Sequence, residues 1–156
     1  ISYLGRNYRL RVGDALRAPL SFDGHWFTLR RQDRKSAPTL FREWYQSVGQ
    51  EWLVRRVKQW ERRAGTSPSG IFVEDLGYRW ASCSKSGVLR FNWKLLQLPI
   101  KLIDYVIVHE MIHLKEHSHS PAFWRMLGEA MPDWESRKND LAVAQAELVW
   151  SVEGKE

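Results

Sequence analysis

Cysteine is all but missing: Cys83 is the single thiol in 156 residues. An internal disulfide framework is therefore excluded, as is a zinc site built from four thiolates. The lone thiol fits a reducing compartment and reads as a buried structural side chain. Long apolar runs are also missing. Stretches such as Tyr105–Val108 stay short, far below the roughly 18 apolar residues that cross a bilayer, so no membrane partner is expected. No secretory leader is visible, and a cytoplasmic location is the expectation. The chain opens on Ile1 rather than Met, which suggests a trimmed N-terminus. No P-loop or other glycine-rich phosphate cradle occurs, and no repeat or low-complexity tract.

What is present is enough for one folded domain over residues 1–156. Hydrophobic residues make up 44% of the chain and charged residues 27%, a composition that folds rather than stays disordered. The net charge of +6 is unevenly spread. Residues 30–63 hold ten Lys/Arg against four acids, whereas residues 64–156 hold ten against twelve. A basic segment that also carries Trp44, Trp52 and Trp60 suits a nucleic acid, a nucleotide or another anionic partner. The same pattern also describes a solvated helix face with tryptophans turned to the core.

Periodicity outlines the elements. Residues 3–12 alternate in period two and read as a strand, and Asp23-Gly24 between short apolar runs signals a hairpin, placing N-terminal strands over 1–31. Leu40, Phe41, Trp44, Val48, Leu53, Val57, Trp60 and Ala64 recur at three- and four-residue spacing, which predicts a basic helix over about 36–65, with Gly49 as a candidate bend. A sheet segment over 71–93 follows, its arms Arg79–Ser84 and Val88–Trp93 joined through Lys85-Ser86-Gly87. Residues 99–116 are apolar on nearly every face and read as a buried helix opened by Pro99. Ser120-Pro121 starts the C-terminal helices over about 120–150, with Pro132 between them. The order predicts an α+β fold with a small antiparallel sheet, a long N-terminal helix and a buried central helix.

Four of the five histidines fall in eleven residues: His109, His113, His117 and His119. The run His109-Glu110-Met111-Ile112-His113 is H-E-x-x-H. Residues four apart lie on one helix face, about 6 Å apart along the axis, so two imidazoles there can converge on one ion. The intervening carboxylate can reach a water activated by that ion and act as general base. Random placement at this composition yields roughly 0.01 such matches. A catalytic zinc usually takes three protein ligands. His117 would lie about 12 Å along a continued helix from His109, so the chain must turn after His113. His119, at H-E-x-x-H-x5-H spacing, is the leading third ligand, with His117 and the carboxylates Glu129 and Glu135 as alternatives. The same spacing occurs in metzincin proteases, which place a turning glycine where this chain has Glu116.

A resemblance is carried by Arg79-Trp80-Ala81-Ser82-Cys83-Ser84, Gly87, Asn92-Trp93, Leu95, Pro99, Ile103-Asp104-Tyr105-Val106, His109 through Leu114, His119-Ser120, Phe123-Trp124 and Pro132-Asp133. Together they resemble the YgjP-like metallopeptidase-domain family, a zincin group related to the SprT-like and WLM proteases. Ala81 stands where the family pattern R-W-G-S-C-S has glycine. The resemblance implies a zincin-like fold whose edge strand lies along the cleft above the H-E-x-x-H helix. It implies one zinc ion on His109, His113 and His119, and it makes the hairpin the wall that an extended peptide joins. Arg79 is read as a binder of a substrate carboxylate or a polariser of a carbonyl, or alternatively as a salt bridge of the fold. Trp80, Trp93 and Trp124 are read mainly as core. Asp104 is read as a partner behind the ligands or as a helix-terminus charge.

Three functions are expected to compete. The first is a zinc metallopeptidase acting on a peptide or protein, with Glu110 as general base. The second is a metal-dependent nucleotide pyrophosphatase, to which family members have been linked. The third is a nucleic-acid-associated protein with a zinc site, bound through the basic helix 36–63. The C-terminal helix 134–150 is a candidate cover for the cleft.

Overall fold

The computed structural model describes residues 1–146 and Leu148. The chain is α+β, with eight short strands and four helices among those residues. The N-terminal stretch expected as one strand is three: β1 (Ser2–Tyr3), β2 (Arg6–Asn7) and β3 (Arg9–Gly13). The break comes at Leu4-Gly5, both with positive φ, which turns β1 back on β2 as an antiparallel pair. Gly5 is required there twice over, since a Cβ would sit 2.7 Å from Pro99 Cα. Leucine followed by glycine carries none of the Asn or Asp signal of such turns, so alternation alone did not reveal it.

Strands β4 (Leu20–Phe22) and β5 (Trp26–Arg30) form the hairpin expected at Asp23-Gly24, where the Asp23 carboxylate accepts from the backbone N–H of His25 and Trp26. Strand β3 lies parallel to β5, giving the order β3-β5-β4. A second sheet contains β6 (Gly70–Glu74), β7 (Ala81–Cys83) and β8 (Val88–Asn92) in the order β6-β8-β7. The β7–β8 arm is antiparallel as expected, and β6 adds a parallel neighbour on the other side of β8. Strand β7 is thus left as an edge.

The first helix, α1 (Ala37–Ala64), buries Phe41, Tyr45, Gly49, Leu53, Val57, Trp60 and Ala64 along one stripe and stops at Gly65 in the left-handed conformation. Gly49 marks a close approach within a continuous helix, not a bend: a Cβ there would meet Leu96 Cδ2 at 3.0 Å. Trp60 is buried. Trp44 packs edge-on against Tyr3, Phe22, Phe27 and Tyr45, and Trp52 lies against the core. The basic helix therefore presents Arg42, Arg55, Lys58, Arg62 and Arg63 to solvent without a row of exposed rings.

The second helix, α2 (Ile100–His113), packs on α1, β7, α3 (Pro121–Ala130) and α4 (Trp134–Gln145). Leu102, Ile103, Val106, Ile107, Val108, Met111 and Ile112 are buried around its circumference, as its apolar sequence requires. Asp104 is not behind the histidines. Its carboxylate is buried and accepts from Arg56 Nε at 2.7 Å, Arg56 Nη2 at 2.6 Å and Trp60 Nε1 at 3.0 Å, which clamps α1 to α2. The C-terminal helix expected over 134–150 ends at Gln145, and its reach past Ala146 falls outside the described residues, Leu148 apart. No helix among the described residues is long and apolar enough to cross a membrane.

Candidate active site

His109 and His113 leave α2 on one side, four residues apart, and their Nε2 atoms stand 3.2 Å from each other. The helix ends at His113, and the chain turns through Lys115 N–H and Glu116 N–H, which both donate to the Ile112 carbonyl. The Glu116 carboxylate then accepts from Ser118 N–H and Oγ. No residue from 113 to 119 takes a positive φ, so the turn needs no glycine at Glu116. It returns His119 to the other two rings, its Nε2 3.1 Å from each. Ser120 caps α3 by accepting from Phe123 N–H, and Pro121 occupies the first turn.

Three nitrogens form a triangle with edges of 3.1–3.2 Å. Nitrogens bound at about 2.0–2.1 Å to one tetrahedral ion would stand about 3.3–3.4 Å apart. His113 Nδ1 lies 3.0 Å from the Glu116 carbonyl, which can only accept, so Nδ1 carries the proton and Nε2 turns a bare lone pair inward. The three Nε2 atoms converge closely enough for one cation to take a lone pair from each. His109, His113 and His119 could therefore hold a metal ion. His117 is exposed and outside the triangle, as are Glu129 and Glu135.

Burial holds His109 and His113 neutral, and aromatic neighbours pack against all three rings. Burial, then the neighbouring His113 and His119, holds His109 down at about 3. Burial likewise lowers His113. The Phe123 ring lies 4.5–4.9 Å from all three imidazoles. Trp124 stacks on His119 at 5.4 Å and 22°, and Trp134 stacks on Trp124 at 4.7 Å. Lys138 Nζ sits 4.8 Å over Trp124. Trp124 is partly buried against the core, as expected, and its ring also stacks on His119.

Glu110 is buried, and burial pushes its carboxyl up to about 7. It lies between two cavities. One, of about 360 Å³, is lined by Arg79, Trp80, Tyr105, His109, Glu110 and Lys138 among others. The other is lined by Cys83, Lys85, Glu110, His113 and His117. Strand β7 runs along both, Ala81 in the first and Cys83 in the second. Cys83 is half-buried in this wall, and burial followed by the Glu110 charge raises its thiol. In the ladder, Asn92 N–H donates to Trp80 O and Ser84 N–H to Val88 O. Antiparallel pairs alternate, so the backbone N–H and C=O of Ala81 and Cys83 face away from β8, toward the cleft edge.

Arg79 stands on the rim of the first cavity and makes no ion pair among the described residues. Its loop is pinned by Asn92 Nδ2, which donates to Gly77 O at 3.1 Å and Arg79 O at 2.9 Å. Trp93 is buried, and Trp80 is partly buried with its Nε1 enclosed. Two side chains that sequence reasoning did not assign also line the cleft. Tyr105, one helical turn before His109, has its hydroxyl pushed up to about 12 by burial and the Glu110 charge. The i, i+4 relation to His109 was a signal for it. Lys138 comes from α4 and no local pattern announces it.

The chain matches the YgjP-like, metallopeptidase domain family over residues 1–144. No curated protein matches it. Among solved structures, the metallopeptidase zymogen of Pyrococcus abyssi, abylysin, shares 21% identity and superposes with a TM-score of 0.53, covering 58% of this chain and 91% of that one. At that identity the likeness concerns the fold.

Proposed function

From the premise that this chain belongs to the YgjP-like metallopeptidase domain family, we propose that it is a zinc-dependent peptidase in which His109, His113 and His119 hold the ion and Glu110 is the general base. The observation that carries this reading is the triangle of imidazole nitrogens beside a buried carboxylate, under the free edge of β7. Zinc bound there would act as a Lewis acid on the scissile carbonyl and lower the pKa of water toward about 7.

The chain's own residues supply the rest. An extended peptide adds to β7 through the outward N–H and C=O groups of Ala81 and Cys83, which lays it across both cavities with Glu110 between them. Glu110 accepts the proton of the attacking water and hands it to the departing amine. Its apolar surroundings raise the carboxyl toward neutrality, which suits a group that must both take and return a proton. The Tyr105 hydroxyl stays protonated and is a donor in the same cavity for charge developing on the carbonyl oxygen. Trp124 and Phe123 fix the ring planes.

Glu110→Gln tests the assignment. Metal content measured by mass spectrometry should stay near one ion per chain, while cleavage of casein falls by about 10²-fold or more. Unchanged cleavage removes Glu110 from the mechanism. Pyrophosphate released from nucleotides by the same preparation, without any peptide cleavage, would replace the peptide reading.

A further inference from the structure

The rims of the cleft are cationic and uncompensated. Arg79 and Lys138 border the first cavity and Lys85 borders the second. None of the three makes an ion pair or a side-chain hydrogen bond to an acid among the described residues, whereas Arg30, Arg31, Arg55, Arg56, Lys101 and Arg137 do. The one acidic residue in either cavity is Glu110. One of the cations, Lys138, is held by its side chain, and the backbone that carries Arg79 is held by hydrogen bonds. Lys138 rests over Trp124, whose ring is stacked on His119. The loop of Arg79 is tied at Gly77 O by both Asn92 Nδ2 and Lys94 Nζ, the latter at 3.2 Å. Placing unpaired cations on either side of a reaction centre costs self-repulsion, which an anionic ligand relieves.

We propose that the cleft selects acidic peptides: Arg79 and Lys138 take a carboxylate on one side of the scissile bond and Lys85 takes one on the other. This rests on the peptidase reading and names its substrate class. A guanidinium fork accepts a carboxylate through two parallel hydrogen bonds, and an ammonium held over a ring acts as a point charge beside it. Side chains of an extended strand alternate in direction, so every second residue of a peptide on β7 faces one wall of the cleft. Aspartate or glutamate at those positions reaches the rims without entering the buried space around Glu110.

The test uses three fluorogenic peptides of one length with acidic, neutral or basic residues flanking a common scissile pair, and full-length zinc-loaded protein. The acidic peptide should exceed the neutral one by about tenfold in kcat/KM, through KM, and the gap should shrink as salt rises. In Arg79→Ala/Lys138→Ala the acidic peptide should lose about tenfold more than the neutral one, whereas Arg62→Ala on α1, outside both cavities, should keep the wild-type ranking. Binding of the acidic peptide to Glu110→Gln, followed by fluorescence anisotropy, should weaken in parallel when Arg79 and Lys138 are removed. Equal turnover of all three peptides, or a ranking unmoved in the double variant, overturns the acidic preference and leaves the peptidase reading standing. No peptide cleavage at all, with metal bound, overturns both.

Discussion

The contact that orients the histidine helix can be tested through stability alone. Asp104 sits five residues before His109, and its carboxylate is 6% exposed. It receives two hydrogen bonds from Arg56 and one from the Trp60 indole, both on α1. Asp104→Ala removes all three acceptor contacts. Arg56, 30% exposed, can recover water, which holds the loss below that of a fully buried pair. The Trp60 N–H, on a residue only 8% exposed, cannot recover in the same way. The expected loss of unfolding free energy is about 3 kcal/mol, made of a broken, largely buried charge pair and an orphaned donor. For a chain of this size that lowers Tm by roughly 6–12 °C. Arg56→Ala leaves the more buried partner uncompensated and should cost about 3–5 kcal/mol. The double variant should cost less than the sum, with a coupling of about 1.5–3 kcal/mol. Urea denaturation is to be followed on metal-stripped protein, because a bound ion adds its own stabilisation. A loss under about 1 kcal/mol for Asp104→Ala, or strict additivity of the two single changes, would refute the clamp.

Two further outcomes follow from the packing. Trp124→Ala removes the ring stacked on His119 and should weaken zinc affinity by roughly tenfold in competition with a chromophoric chelator, while Trp124→Phe recovers most of it; equal affinity in all three proteins would show that the stack does not orient the ligand. Gly49→Val drives a branched side chain into Leu96 and Val73 and should lower the unfolding free energy by about 1–3 kcal/mol, so a more stable variant would mean α1 has room to move away.

How far the linear chain reaches is visible at the site itself. The i, i+4 spacing of His109 and His113 and the apolar circumference of α2 are local properties, set by 3.6 residues per turn, and both can be read without coordinates. So can the single-stripe helix over α1, the turn at Asp23-Gly24 and the Ser120 cap of α3. His119 was legible through spacing, but only the folded turn brings its ring to the other two and leaves His117, Glu129 and Glu135 outside the cluster, because that depends on where the chain goes after the helix ends. Gly49 read as a bend, because a glycine's purpose lies in what its missing Cβ would strike, here Leu96 from another element. Asp104 was misplaced for the same reason: its partners lie 44 and 48 residues away.

What residue order alone decided, then, is the chemistry: which groups could gather a metal ion, where the carboxylate stands beside them, and that a buried helix carries both. Tertiary structure decided the cleft. The free edge of β7, the stack of Trp134, Trp124 and His119, and the lining of one cavity by both Arg79 and Lys138 each bring together elements far apart in the chain. Periodicity acts over a few residues, whereas a cleft is made where separate elements fail to close on one another, and that is settled only by packing.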